Sequence, residues 1–223
     1  MRSEAYRADH GELFAPAPLP AREDLAEGAV LLRGAALEHA DAIVAALDTI
    51  TPESPFRKMT TPGGFEMSVA MTSCGDCGWV TDRKGYRYSA TDPLTGKPWP
   101  AMPEVFLDCA AQTAAAAGFE GFVPDACLIN RYAPGARLSL HQDKDERDFT
   151  KPVVSVSLGV PAIFLFGGLE RNDRTRRIPI VHGDVVVWGG ASRLFHHGVL
   201  PVKDAEHPLL GRQRINLTFR KAR

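Results

Sequence analysis

The 223 residues carry 26 basic and 27 acidic side chains, a formal net charge of −1, with 44% hydrophobic and 24% charged residues. That is ordinary globular composition, long enough for one well-buried domain. The balance excludes a general electrostatic pull toward nucleic acid or anionic membrane, so any such contact has to come from a local patch. No signal peptide is legible in the polar stretch 1–10, and no apolar run reaches the length of a bilayer span. A cytoplasmic protein without membrane attachment is expected, and nothing suggests an obligate dimer, so a monomer is expected too. Its four cysteines (Cys74, Cys77, Cys109 and Cys127) are then reduced by default. Cys74-Gly75-Asp76-Cys77 has C-x-x-C spacing, but no second pair completes a four-ligand zinc set. Two unpaired thiols in a glycine-containing loop are the expectation.

Residues 1–24, rich in Ala and Pro, read as an extended leader. Ala29–Leu32 reads as a short strand. Leu37, Ala40, Ile43, Val44, Leu47 and Ile50 then recur at helical spacing until Thr51-Pro52 stops the helix. From residue 54 to about 100 the character changes. Gly63-Gly64, three aromatics (Trp79, Tyr86, Tyr88) and scattered cations predict a loop-rich flap, with short strands such as 67–71 inside it. Pro103 is placed to open the next helix, and Gly118 to follow the Ala-rich run 110–117 at its C′ position. Beyond Pro124 the segments 127–132, 153–160, 162–166, 177–182, 185–188 and 214–219 are short, β-branched and bounded by Gly or Pro. That rhythm predicts a double-sheet β architecture. One domain over 1–223 is expected: leader, strand and helix over 1–53, flap over 54–100, helix and β core over 101–223.

The chemistry centres on His141 and Asp143. Two residues apart on an extended strand, they point the same way. One imidazole and one carboxylate can hold a divalent metal from one side, and a second His would complete a facial triad with open positions for substrate and dioxygen. Taken alone, such a pair is more commonly solvated or hydrogen-bonded. His196-His197 offer the third ligand. Adjacent strand residues face opposite ways, so only one can reach, and spacing does not say which. In Arg214–Arg220 the polar residues share one face. Either this is an edge strand with a wet face, or two arginines six apart grip two carboxylates of one ligand. Asn130 and Tyr132 share a side of 127–132 and add an amide and a phenol that a bound dicarboxylate would satisfy.

Several segments together carry a resemblance. They are Ser54-Pro-Phe-Arg57, Thr61-Pro-Gly-Gly64, Met67-Ser-Val-Ala-Met-Thr72, the run Pro124 to Gly135, Leu138 to Asp145, Gly183 to Gly190, Ser192-Arg-Leu-Phe195 and Asn216 to Arg220. In this order they resemble the AlkB family of Fe(II)- and 2-oxoglutarate-dependent nucleic-acid dealkylases, from about residue 12 onward. The resemblance implies a double-stranded β-helix (jelly-roll) core, mainly β with flanking helices, and makes the 54–100 flap a nucleotide-recognition lid. It implies Fe(II) on His141, Asp143 and His197, with His196 outside the ligand set. It implies Arg214 on the distal carboxylate of 2-oxoglutarate, Arg220 near the metal-bound one, and Asn130, Tyr132 and Asn216 in support. Trp79 and Tyr86 match aromatics of the lid, and Asp145 and Arg171 match residues lining the base pocket. Cys77 and the leader depart from the family.

The implied activity is oxidative demethylation of N1-methyladenine- and N3-methylcytosine-type lesions in alkylated single-stranded DNA, with RNA as a further candidate. Dioxygen and 2-oxoglutarate are consumed, and succinate and formaldehyde are released. A base inside a stack cannot present its methyl group, so it must be taken from a single strand or flipped out. Trp79 can stack on it, with the His141 ring as opposite wall, unless Trp79 is a structural aromatic under a loop. Tyr88 is expected to pack. Asp145 favours a cationic lesion over the neutral base. Lys58, Arg83, Lys84, Arg87, Arg137 and Arg171 are candidates for phosphate contacts, although loop cations are usually just solvated. Two alternatives stand beside this: the same machinery acting on protein or a small molecule, and a non-catalytic metal-binding nucleic-acid module.

Overall fold

The computed structural model describes residues 21–223, so most of the leader assigned to 1–24 lies outside the described residues. Fourteen strands and two α-helices follow: β1 (Arg22–Ala26), β2 (Ala29–Leu32), α1 (Ala40–Glu53), β3 (Arg57–Thr60), β4 (Glu66–Gly75), β5 (Gly78–Asp82) and β6 (Gly85–Ser89). Then come α2 (Glu104–Ala116), β7 (Ala126–Tyr132), β8 (Leu138–His141), β9 (Val153–Gly159), β10 (Ala162–Phe166), β11 (Arg176–Ile180), β12 (Val185–Trp188), β13 (His197–Val199) and β14 (Arg214–Arg220).

All strand pairings are antiparallel. An eight-stranded sheet runs β1-β2-β12-β9-β14-β7-β4-β3, a four-stranded sheet runs β11-β10-β13-β8, and β5-β6 form a separate hairpin. The two larger sheets face each other as a jelly roll, and the alternation of side chains decides what each face does. In β12, Val185 and Val187 join the cluster under the helices, whereas Val186 and Trp188 join the cluster between the sheets. The same split runs through β14. Ile215, Leu217 and Phe219 pack with Ile43 and Leu47 of α1 and Phe106 of α2, and the Phe106 and Phe219 rings meet edge-to-face at 5.9 Å. Arg214, Asn216, Thr218 and Arg220 point the other way, between the sheets, and all seven residues are buried. β14 therefore lies between β9 and β7, and the wet edge-strand alternative is wrong. A polar face can be buried there because its groups bond one another and the serines of β9.

Three further expectations are corrected. α1 passes Pro52 and ends at Glu53, where the Ser54 N–H still reaches Ile50 O at 2.9 Å. A missing N–H in the last turn costs one bond, not the helix. The stretch 54–100 is not all flap. β3 and β4 belong to the large sheet, with Val69, Met71 and Cys74 buried, and only the β5–β6 hairpin stands apart. The glycines and aromatics there obscured a ten-residue strand. Cys74 accordingly lies in β4 rather than in a loop, and both it and Cys77 are buried free thiols. The second helix behaves as read: Pro103 occupies the N-cap position, and Gly118, with φ +95°, follows the last turn. No helix among the described residues is long and apolar enough to cross a membrane.

Candidate active site

A cavity of about 670 Å³ opens between the two sheets and beneath the β5–β6 hairpin. Its floor is built by β8 and β13, which lie side by side with His141 opposite His197. Gly198 makes that approach possible, because a Cβ at this position would sit 2.7 Å from Leu138 O. β8 ends at His141, so Asp143 stands past the strand end and not on it. There the chain is held by Gln142, whose Nε2 donates to Leu194 O (2.7 Å), and by Arg193, whose Nη1 donates to Asp143 O (2.7 Å). The turn still brings the two side chains to one side.

His141, Asp143 and His197 each offer one ligand atom, and these atoms all lie within 4.8 Å of one another. Asp143 is 3.7 Å from His141 Nε2 through Oδ1 and 3.8 Å from His197 Nε2 through Oδ2. The other ring nitrogens settle the tautomers. His141 Nδ1 lies 2.9 Å from Ser139 O and His197 Nδ1 lies 3.0 Å from Phe195 O. A carbonyl only accepts, so each Nδ1 carries the proton and each Nε2 keeps its lone pair for a metal. Of the adjacent histidines, His197 is buried facing Asp143, while His196 Nδ1 turns toward Gly168 O at 3.4 Å.

Electrostatics hold the donors in the binding form. Burial alone would raise the Asp143 carboxyl. The Arg220 guanidinium and the two imidazoles outweigh it and keep the group well below the usual carboxylate range. Burial, with His141 beside it, pushes the His197 imidazole down to about 3, so it is neutral at neutral pH. Two imidazoles and one carboxylate form the donor set that open-sided Fe(II) sites use.

Next to the triad lies a second polar cluster from β14, β7 and β9. Asn216 Nδ2 donates to Ser155 Oγ and to Val156 O, both at 2.8 Å, and Thr218 Oγ1 donates to Asn216 Oδ1 at 3.0 Å. The Arg214 guanidinium sits over the Tyr132 ring at 4.9 Å and is 2% exposed. Its Nη2 donates to Ser157 Oγ at 2.9 Å, whereas Nε and Nη1 have no partner among the described residues. A buried cation with two unmatched donors facing a cavity fits an anionic ligand such as a carboxylate. Asn130 Oδ1 and the Trp188 indole N–H are likewise unmatched. Arg220 Nε and Nη2 reach Asp143 Oδ2 at 2.9 and 2.8 Å, so it also fixes the carboxylate of the triad directly.

At the mouth, Trp79 stacks on Tyr86 (5.6 Å, 16° between planes). The diagonal cross-strand placement of 79 and 86 puts the rings together. The Trp79 Nε1–H donates to Asp145 Oδ2 at 2.7 Å, and Arg171 and Arg137 also line the opening. Every residue assigned from the sequence to metal, cosubstrate or base therefore borders this one cavity. Of the phosphate candidates, Arg137 and Arg171 border it and Lys58, Arg83, Lys84 and Arg87 do not: Lys58 lies 3.4 Å from Glu66, and Arg87 is paired with both oxygens of Asp82. Tyr88 does more than pack, since its hydroxyl donates to Glu146 at 2.6 Å.

The sequence reading overlooked Glu146, Arg193, Trp188 and the two serines of β9. Glu146 is buried among Tyr88, Arg193 (3.1 Å) and Arg220 (3.4 Å). The serines had a visible signal: Ser155 and Ser157 alternate inside an otherwise apolar strand. Glu146 had none, being one more acid in a charged run.

The model of the 2OG-Fe(II) oxygenase superfamily matches residues 28–220. The Escherichia coli alpha-ketoglutarate-dependent dioxygenase AlkB is 59% identical over 95% of this chain and 97% of its own. The chain belongs to the AlkB family. It is an Fe(II)- and 2-oxoglutarate-dependent dioxygenase, and the family requires Fe(II), 2-oxoglutarate and dioxygen. The mouse nucleic acid dioxygenase ALKBH1 is 36% identical over 57% of this chain and 33% of its own length. The solved structure of OsALKBH1 superposes with a TM-score of 0.77 at 31% identity, covering 90% of this chain and 99% of the other.

Proposed function

We propose that this dioxygenase demethylates alkylated bases, of the N1-methyladenine and N3-methylcytosine type, in single-stranded DNA, with RNA as a second candidate. The observation that carries this reading is the mouth of the cavity. A stacked Trp79–Tyr86 pair and a carboxylate, Asp145, stand above the metal triad. A planar base needs a stacking platform. Methylation at N1 of adenine or N3 of cytosine makes the base cationic, and Asp145 rewards that charge. The related mouse protein is named a nucleic acid dioxygenase, which supports a nucleic-acid substrate.

His141, Asp143 and His197 hold Fe(II) in this reading. When bound with 2-oxoglutarate and dioxygen, the iron supplies the oxidant that hydroxylates the methyl group, which then leaves as formaldehyde. The protein's own share is placement. Arg214 receives the distal carboxylate of 2-oxoglutarate, with Tyr132 beneath the guanidinium and Asn130 and Asn216 beside it. Arg220 keeps Asp143 ionised and aimed at the metal. Trp79, Tyr86, Asp145 and Arg171 hold the base over the site.

Incubation with Fe(II), 2-oxoglutarate and a methylated oligonucleotide tests this, with succinate and formaldehyde both measured. Equal yields of the two are expected. Formaldehyde absent while succinate forms would move the substrate to protein or a small molecule. Neither product, with metal bound, would refute the reading.

A further inference from the structure

We propose that a second, open cleft beside the β5–β6 hairpin grips the phosphodiester backbone of the strand whose base enters the main cavity. It measures about 360 Å³, and Tyr86, Arg87, Tyr88, Asp145, Arg147 and Arg223 border it. Tyr86 and Asp145 border both spaces, so the cleft continues the mouth of the site. This inference rests on the nucleic-acid reading above and extends it to the neighbouring nucleotides.

Charge is what singles the cleft out. Arg87 is balanced by Asp82, with bonds of 3.0 and 2.8 Å to its two oxygens. Arg147 and Arg223 are exposed and have no acid within ion-pair distance among the described residues. Of the residues that border the cleft, one carries a carboxylate side chain, Asp145, which already accepts the Trp79 indole proton. On a chain whose net charge is −1, two unmatched guanidiniums in one concavity are not the by-product of a basic surface.

The two arginines are also held in place. Asp125, buried, accepts the backbone N–H of Ala222 (2.6 Å) and of Arg223 (3.1 Å), and Lys221 Nζ lies 3.1 Å away. The Arg147 N–H in turn donates to Ala222 O at 3.2 Å. Both guanidiniums therefore rise from backbone segments tied to each other. Planar donor forks beside two tyrosines provide what a single strand requires: cations for phosphate and rings for bases.

Binding of a fluorescent, methylated pentanucleotide is to be measured by anisotropy over a salt series, for the parent protein and for R147A/R223A. Each phosphate contact on a single strand contributes about 0.7 to the slope of log affinity against log salt. Loss of two contacts flattens the slope by about 1.4. A fourfold rise in salt then weakens the parent about sevenfold more than the variant. R147K/R223K restores the slope, and the affinity for a methylated mononucleotide is unchanged in both variants. Melting temperature and 2-oxoglutarate binding report that the fold is intact. An unaltered salt slope in R147A/R223A overturns the inference while leaving the nucleic-acid reading standing. A parent protein that neither binds nor demethylates the pentanucleotide overturns that reading, and the inference with it.

Discussion

Arg214 is the side chain on which the cosubstrate assignment can be tested most sharply. It is buried, its Nη2 is matched by Ser157, and its Nε and Nη1 are matched by nothing among the described residues. Burial also pulls its pKa below the ordinary guanidinium value. If a carboxylate of 2-oxoglutarate supplies the two missing acceptors, each charge-assisted bond is worth about 1.5–3 kcal/mol. Removing both costs about 3–6 kcal/mol, or roughly 10²- to 10⁴-fold in affinity. Arg214→Met keeps the volume and removes the charge. Without ligand it also removes an uncompensated buried cation, so the melting temperature of the ligand-free protein should hold or rise. Arg214→Lys keeps charge but not the fork, and should fall between. Calorimetric titration of 2-oxoglutarate into the Mn(II)-loaded protein, with thermal melts alongside, reads both quantities. An Arg214→Met protein that binds 2-oxoglutarate as the parent does would refute the reasoning outright.

Other expectations follow from the same geometry. Gly198→Ala places a Cβ against Leu138 O and pushes β8 from β13. Metal affinity should drop about 10- to 100-fold, seen by Mn(II) titration, with the fold retained. Trp79→Ala should weaken a methylated oligonucleotide by about 1–3 kcal/mol without changing 2-oxoglutarate binding, and equal anisotropy curves would contradict it. Glu146→Leu strands Arg193 and Arg220 without their shared acceptor and should cost about 3–5 kcal/mol in urea unfolding, whereas Glu146→Gln should cost less. The thiols set an alkaline limit. Burial raises Cys77 to about 11 and Cys109 to about 12, against 9.0 for a free thiol. Between pH 9 and those values the unfolded chain binds fewer protons than the folded one. Stability is therefore full below pH 9 and falls as pH rises above it, which urea midpoints at pH 8 and 10 should show.

The parts of the fold legible in the sequence are those where periodicity had a single cause. Segments 162–166 and 185–188 match β10 and β12 residue for residue, because each is short, apolar and closed by Gly or Pro. β4 is legible only in part, as the short strand 67–71, for the opposite reason. Its ten residues mix Met, Ser, Thr and Cys, since one end borders the cavity and the other the core. Mixed demands erase a clean period. α1 shows a different limit, because Pro52 reads as a stop but sits where only one intrahelical bond is lost.

At the site, residue type and alternation go far and partner choice does not. His-x-Asp and the period-two face of β14 identify which side chains share a cavity, and the structure gathers them there. What alternation cannot supply is which acid each cation meets. Arg214 and Arg220 look equivalent on their strand, six residues apart and facing one way. Yet Arg220 spends two nitrogens on Asp143, while Arg214 keeps two donors unmatched. The difference comes from the chain segment opposite each. β9 offers Arg214 only a serine hydroxyl, whereas the turn after β8 brings both Asp143 and Glu146 to Arg220. One arginine is thereby committed to the metal carboxylate and the other left open for a ligand. That division predicts opposite signatures: Arg220→Met should lose metal affinity first, Arg214→Met cosubstrate affinity first. Identical losses from the two substitutions would show that the cluster acts as a single anion clamp instead.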